Sequence, residues 1–364
     1  MLTTRSKLVA DEDYFTELRA REFSRLDREG VAYLDYTGAA LYAERQVREH
    51  AELLSHSVFG NPHSEHRPSR HSTQILEQGR DSVLAFLDAP PDEYDVCFTT
   101  NASAAIKLVA ESYPFGPQTL FALSADNHNS VNGVREYARR AGARVRVLPV
   151  GRDLQLDEPQ AHLIESARGM SGGLLAFPAQ SNFSGAWHPL SLVKRAQELG
   201  LDVLLDAASL FTSGSLSLRE VPADFVALSF YKIFGYPTGV GALVARRSAL
   251  ARLRRPWFAG GTVDFVTVQG DAHQLRSSAD AFADGTPNFL GVSAIPSGFD
   301  FVRAVGPRRA ARHAQQLACL MTNELLALRH TNGQHLVTVY GPLPSETKGT
   351  TVAFNVLTAE GRPV

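Results

Sequence analysis

Apolar residues in the middle of the chain come in short continuous runs, and the stretches between them carry an apolar residue every third or fourth position. The first pattern marks buried strands and the second marks helices packed on them. Strands are expected at Asp95–Thr99, Thr119–Leu123, Arg144–Val150, Leu174–Phe177, Val203–Asp206, Phe225–Ser229 and Val240–Ala245. Helices are expected between them at Ser103–Ser112, Val131–Ala141 and Pro189–Leu199, the last opening on a proline, which suits a first helical position. Three further helical patterns precede the first strand: Asp11–Glu29, Ala43–His56 and Ser69–Leu87. After Pro287 the pattern is helical through Leu328, and one strand-like run, Thr350–Val356, follows. Strands alternating with helices predict an α/β fold with a mostly parallel sheet covered on both faces.

Composition narrows the class. The 364 residues are 44% hydrophobic with a formal net charge of -2, which fits one large globular unit, or a large domain with a smaller one. Near-neutral charge argues against nucleic acid or a membrane surface as the main partner. No run approaches the ~20 apolar residues of a membrane span, and residues 1–13 lack the apolar core of a signal peptide. Two cysteines give no disulfide framework, so a cytoplasmic setting is expected. Cys97 falls in a strand pattern and Cys319 in a helical one, and both read as small buried residues rather than reactive thiols. The segment His63–His71 is rich in His and Arg, but no cysteine or paired carboxylate accompanies it, so no metal site is expected. Neither a G-x-x-x-x-G-K-[ST] loop nor a G-x-G-x-x-G turn is present, which leaves nucleotide cofactors without support.

Lys232 is the residue the pattern singles out. It stands between the apolar runs Phe225–Ser229 and Val240–Ala245, where a bare ammonium is costly to bury. It is either one half of a salt bridge or a desolvated amine suited to Schiff-base chemistry, most often with pyridoxal phosphate (PLP). Asp206 favours the second reading. It ends the run Leu201–Asp206, the strand edge where ligands bind in open α/β sheets, although an aspartate there is often only a helix cap. A carboxylate about 4 Å from a pyridinium nitrogen is worth about 4 kcal/mol at an effective dielectric of 20. Cys97–Val109 reads as strand, turn of small polar residues and helix, and free N–H groups at such a helix start form an anion site.

With these residues in place, the sequence resembles the class V, fold-type I PLP enzymes. Within them it is most similar to cysteine desulfurases and the N-terminal domain of molybdenum cofactor sulfurases. The likeness runs from about Tyr33 onward. It is carried by Tyr33–Ala40 (YLDYTGAA), Phe59–Ser64 (FGNPHS), Phe98–Ser103 (FTTNAS), Asn127–Val131 (NHNSV), Pro178–Gly185 (PAQSNFSG), Leu205–Ser209 (LDAAS), the Lys232 segment and Asp284–Asn288 (DGTPN).

The resemblance implies a PLP-dependent transferase fold. A large domain over 31–290 would hold a mixed, mostly parallel seven-stranded sheet. Residues 1–30 would form a helical segment packing with the small domain, and 291–364 the first part of that small α/β domain. It also implies roles. Lys232 would carry the Schiff base and move a proton at the substrate Cα, Asp206 would pair with the ring nitrogen, and His128 would stack on the ring. Asn182 would approach the phenolic oxygen and the substrate carboxylate. Ser209 stands where many desulfurases have glutamine, near the phenolic oxygen. Ala102 through its N–H, Ser103, Ser229 and Tyr231 would hold the phosphate. Thr286 would reach the phosphate of a neighbouring subunit, implying a homodimer, and His63 would line the mouth of the site near the substrate. The implied activity is that of a cysteine desulfurase or related C–S lyase on a small amino acid, with L-cysteine the leading candidate. Other class V activities that need no cysteine (aminotransferase, epimerase, another lyase) and a non-catalytic scaffold are the alternatives. The family's carboxylate-binding arginine and its catalytic cysteine loop have no counterpart in these residues and are expected beyond Val364.

Overall fold

The computed structural model describes residues 2–344 and 348–364, with side chains from residue 11 onward. Seven strands build the central sheet: β1 (Tyr94–Thr99), β2 (Thr119–Ser124), β3 (Arg144–Leu148), β4 (Gly172–Pro178), β5 (Leu201–Asp206), β6 (Phe225–Ser229) and β7 (Gly241–Arg246). Their spatial order is β1-β7-β6-β5-β4-β2-β3. β7 runs antiparallel to both β1 and β6, while the pairs β2–β3, β2–β4, β4–β5 and β5–β6 are parallel. The sheet is therefore mixed and mostly parallel, as the alternating pattern predicts.

Both faces of the sheet are covered, which is why its strands read as continuous apolar runs. On one face, Val96, Leu175, Leu205, Val226 and Leu228 pack with Leu76, Val83 and Leu84 of the helix Arg67–Phe86, and with Ile295 and Phe299 of the helix Ile295–Val305. On the other, Phe121, Ala176, Leu204, Phe225 and Leu243 pack with Ile106 and Val109 of the helix Ala102–Ser112, and with Val134 and Ala138 of the helix Val134–Arg140. Each wholly buried side chain of this size contributes about 1.5–3 kcal/mol.

Several elements depart from the sequence expectation. The first helical pattern splits into Leu2–Glu22 and Arg25–Glu29, because Phe23 turns onto Phe301 (ring centroids 6.1 Å apart) and Ser24 Oγ donates to Glu44 (2.8 Å). The helix expected at Val131–Ala141 breaks at Gly133 into Asn129–Asn132 and Val134–Arg140. A helix at Pro159–Ala167 and a hairpin of β8 (Val263–Val266) with β9 (His273–Leu275) are additions. The last apolar run becomes β11 (Ala353–Val356), paired antiparallel with an unexpected β10 (Val337–Tyr340).

The N-terminal helix rests on the helices that follow residue 294. Asp11 pairs with Arg309 (3.3 Å) and Arg312 (3.4 Å), and Phe15 stacks on His313 with ring centroids 4.2 Å apart. Among the described residues no helix is long and apolar enough to cross a membrane.

Candidate active site

Because β2, β4, β5 and β6 are parallel, their C-terminal ends lie along one edge of the sheet, and the chain leaves that edge at Ser124, Pro178, Asp206 and Ser229. Ligands bind at this edge in open α/β sheets. The segments that follow bring Ala102, Ser103, His128, Asn182, Asp206 and Ser209 to a single cavity, where Ser130 and Gln180 join them.

Asp206 is 7% exposed, and among the described residues its carboxylate accepts one hydrogen bond, from the Ala208 N–H to Oδ1 (3.0 Å). Burial raises its pKa; the Ala208 bond and the charges of His128 and Lys232 pull it down, and burial prevails. An under-bonded buried carboxylate of this kind is completed by a cation. Lys232 supplies the nearest lysine charge. It lies in the one-turn helix Phe230–Phe234, rather than in an extended link between strands, and it is half-buried. Its amine has no hydrogen-bond or ion-pair partner among the described residues. That helix ends at Gly235, whose φ of 81° is left-handed. A Cβ there would come within 2.2 Å of the Tyr42 nitrogen, so only glycine lets residues 40–42 press this closely on the lysine's helix. The Ala40 N–H donates to the Tyr231 carbonyl (3.1 Å) and closes the contact.

The start of the helix Ala102–Ser112 forms the other end of the cavity. Asn101 caps it, accepting the Ala104 N–H on Oδ1 (2.9 Å) and the Ala105 N–H on its carbonyl (3.1 Å). The Ala102 N–H, expected to face a phosphate, is taken by Ser229 Oγ (2.8 Å). That leaves the Ser103 N–H as the open donor of the first turn, beside the Ser103 and Ser130 hydroxyls, which bond each other at 2.5 Å. His128 Nδ1 accepts from the Ser130 N–H (3.1 Å) and contacts Ser130 Oγ (3.0 Å). With Nδ1 an acceptor, the ring proton sits on Nε2. Asn182 is exposed and unpartnered, and Ser209 is buried at 5% exposure.

Five expected residues do not line this cavity in a single chain, Ser229 and Lys232 among them. Tyr231 lies half-buried behind it, meeting Ala40 through its carbonyl. Thr286 is exposed beside a second cavity formed with Phe98–Thr100 and Gly239. His63 lines a third, with Arg80, Cys97 and Gly261. Cys97 is 3% exposed, and burial pushes its thiol up to about 12, so it is not a thiolate at neutral pH. Cys319 sits on the helix Pro307–Ala327.

Sequence reasoning missed Gln180 and the pair Asp126–His188. Gln180 stands two residues before Asn182, so in an extended segment both face the same side. Its Oε1 accepts from Trp187 Nε1 (2.7 Å), while its buried Nε2 has no partner among the described residues. His188 Nε2 donates to Asp126 Oδ2 at 2.8 Å.

The donor set suits PLP: a buried carboxylate short of a cation, an unpartnered lysine, a histidine ring, and an open N–H with two hydroxyls at a helix start. A mostly parallel sheet carrying these groups along one edge is the architecture of a PLP-dependent enzyme. The chain belongs to the Aminotransferase class-V family, whose sequence profile matches residues 32–364. It is 37% identical to a molybdenum cofactor sulfurase of Solanum lycopersicum over 95% of this chain and 46% of that protein. The chain thus spans about half the length of this relative. Among solved structures, a cysteine desulfurase of Thermococcus onnurineus NA1 superposes with a TM-score of 0.81 at 26% identity, covering 94% of this chain and 82% of that one. A C-DES variant solved with glycine covalently linked to its PLP cofactor shares the fold, with a TM-score of 0.74 at 17% identity over 93% of this chain and 86% of that one.

Proposed function

We propose that this chain holds PLP covalently through Lys232 and withdraws sulfur from a small amino acid, with L-cysteine as substrate, in the manner of a cysteine desulfurase. The observation that carries the reading is Asp206: a buried carboxylate with one hydrogen bond, sharing a cavity with His128 and feeling the charge of an unpartnered lysine. When bound, PLP supplies an electron sink for negative charge at the substrate Cα. Asp206 would hold positive charge at the ring nitrogen, and His128 would cover the ring. Lys232 Nζ would hold and move the proton at the substrate Cα. Asn182 receives the substrate carboxylate. The Ser103 N–H and the hydroxyls of Ser103 and Ser130 hold the phosphate at the helix start.

A desulfurase passes the substrate sulfur to an acceptor thiolate as a persulfide and leaves alanine. Cys97 is buried and protonated, so the acceptor in an assay is an added thiol. The same machinery run as a lyase gives pyruvate, ammonia and sulfide, and the products separate the two. The active unit is taken to be a cytoplasmic homodimer, in which His63 and Thr286 serve the partner's site.

The test is a visible spectrum of the purified protein, before and after L-cysteine, followed by product analysis with dithiothreitol present. Wild type should be yellow, and Lys232→Ala should lose the covalently bound chromophore. Alanine with sulfide is the expected product pair. A colourless protein that PLP does not reconstitute would sink the reading, and pyruvate in place of alanine would move it to a lyase.

A further inference from the structure

Two separate chain segments supply the face and the edge of the candidate cofactor site. One is residues 125–130, which follow β2 and carry His128 and Ser130. The other is the excursion at residues 179–188, which follows β4 and carries Gln180 and Asn182. The excursion is closed at its base by the His188 N–H donating to the Ala179 carbonyl (3.2 Å) and by a bridge between Gln180 and Trp187. Its tip is closed by the Ser181 N–H donating to the Ala186 carbonyl (2.9 Å). Side chains join the two segments at that base, where His188 Nε2 meets Asp126 Oδ2 at 2.8 Å.

The pair is largely shielded from water, with the His188 side chain 0% and the Asp126 side chain 11% exposed. Burial, the largest single influence, raises the Asp126 carboxyl, but the bond and charge of His188 together with the nearby Ser124 and Ser181 hydroxyls outweigh it and hold the group below its ordinary range, so Asp126 accepts as a carboxylate. Among the described residues neither Asp126 Oδ1 nor His188 Nδ1 has a hydrogen bond of good geometry, and the Ser124 and Ser181 hydroxyls act on Asp126 only as secondary neighbours, so the bond between Asp126 and His188 is the main one that orients the pair. A buried polar pair is weak evidence for stability and better suited to fixing one geometry among several. Here it lies two residues from His128 and at the foot of the segment bearing Asn182.

We infer that Asp126 and His188 are positioning residues: their bond fixes the spacing between the ring-covering His128 and the substrate-facing Asn182. This rests on the PLP reading above. Neither residue lines the candidate cofactor cavity. Losing the bond should therefore leave cofactor capture by Lys232 and the helix start intact, while the bound ring sits in a less defined orientation.

The experiment uses the full chain reconstituted with PLP, and reads three quantities. These are the PLP dissociation constant, the circular dichroism band of the bound chromophore, and kcat and KM for L-cysteine. Asp126→Ala is expected to keep PLP affinity within about threefold, to lose at least half of the dichroism band, and to lower kcat by about tenfold or more. His188→Gln, which keeps a nitrogen donor near the position of Nε2, should recover most of the band, whereas His188→Ala should not. If the pair acts as a unit, the double variant Asp126→Ala/His188→Ala is no worse than either single one. Should Asp126→Ala fail to fold, Asp126→Asn carries the same comparison, with an intermediate loss of the dichroism band expected. A wild type that binds no PLP overturns the cofactor assignment. A wild type that binds it, beside folded variants with an unchanged band and unchanged kcat, overturns the positioning role alone.

Discussion

Asp206 illustrates how a candidate functional residue is held at a cost to stability. Its folded pKa lies above the unfolded value because burial disfavours the charge. Between the two values the folded chain binds a proton that the unfolded chain has released. Stability of the PLP-free protein therefore falls as pH rises through that window, and the whole cost of the buried charge is present only above it. Asp206→Asn should then raise the stability of the PLP-free protein at a pH above the window, by on the order of 1 kcal/mol, with no gain below it. The same variant should slow the PLP-dependent reaction about a hundredfold or more, because roughly 3 kcal/mol of ring-charge stabilisation is lost. Opposite signs in the melting curve and the rate are the expected outcome. A variant that is destabilised when PLP-free and fully active would reduce Asp206 to a helix cap. This residue was legible in the sequence because it ends an apolar run, as were Lys232, His128 and Asn182 near strand ends. The Asp126–His188 pair was not, since its members lie 62 positions apart and only the parallel pairing of β2 with β4 brings them together.

Elements were legible in proportion to their burial. β5 and β6 read directly, because β6 is buried along its whole length and β5 at all but one position. β3 is an edge strand with mostly exposed side chains, and its end was placed two residues too far along. The helix Pro159–Ala167 buries only Leu163, and β8 and β9 bury nothing, so no apolar period announced them. The short helix carrying Lys232 escaped detection for another reason: it is one turn long and set by tertiary contact at Gly235. Alanine at that position meets both the left-handed φ and the Tyr42 backbone at 2.2 Å. Gly235→Ala is expected to cost roughly 3 kcal/mol, lowering the denaturant midpoint and PLP occupancy together. A loss of stability with full PLP occupancy would mean that residues 40–42 do not govern the lysine's placement.

At the scale of the molecule, the positions of His63 and Thr286 argue for a second copy. Each lines a cavity other than the candidate cofactor cavity of its own chain, although the family resemblance assigns Thr286 to a cofactor phosphate and His63 to the mouth of the site. The loop bearing His63 is pressed against the turn at Gly261, where a Cβ would come within 2.4 Å of the imidazole. Beyond that turn the hairpin exposes Phe265 (50%), Val266 (46%) and Val268 (95%), and Val58 (74%) stands exposed ahead of the His63 loop. Large apolar side chains exposed along neighbouring segments mark an association surface. The expected arrangement is a homodimer in which this surface carries His63 and Thr286 to the partner's cavity. Light scattering should then report twice the mass of one chain. Val268→Asp should yield monomers that lose PLP more readily, although Val268 lies outside the cavity. Thr286→Ala should weaken PLP retention while leaving the dimer intact. Monomeric wild-type protein that holds PLP at full occupancy would show that the site is complete within one chain, and the exposed hairpin would then need another explanation.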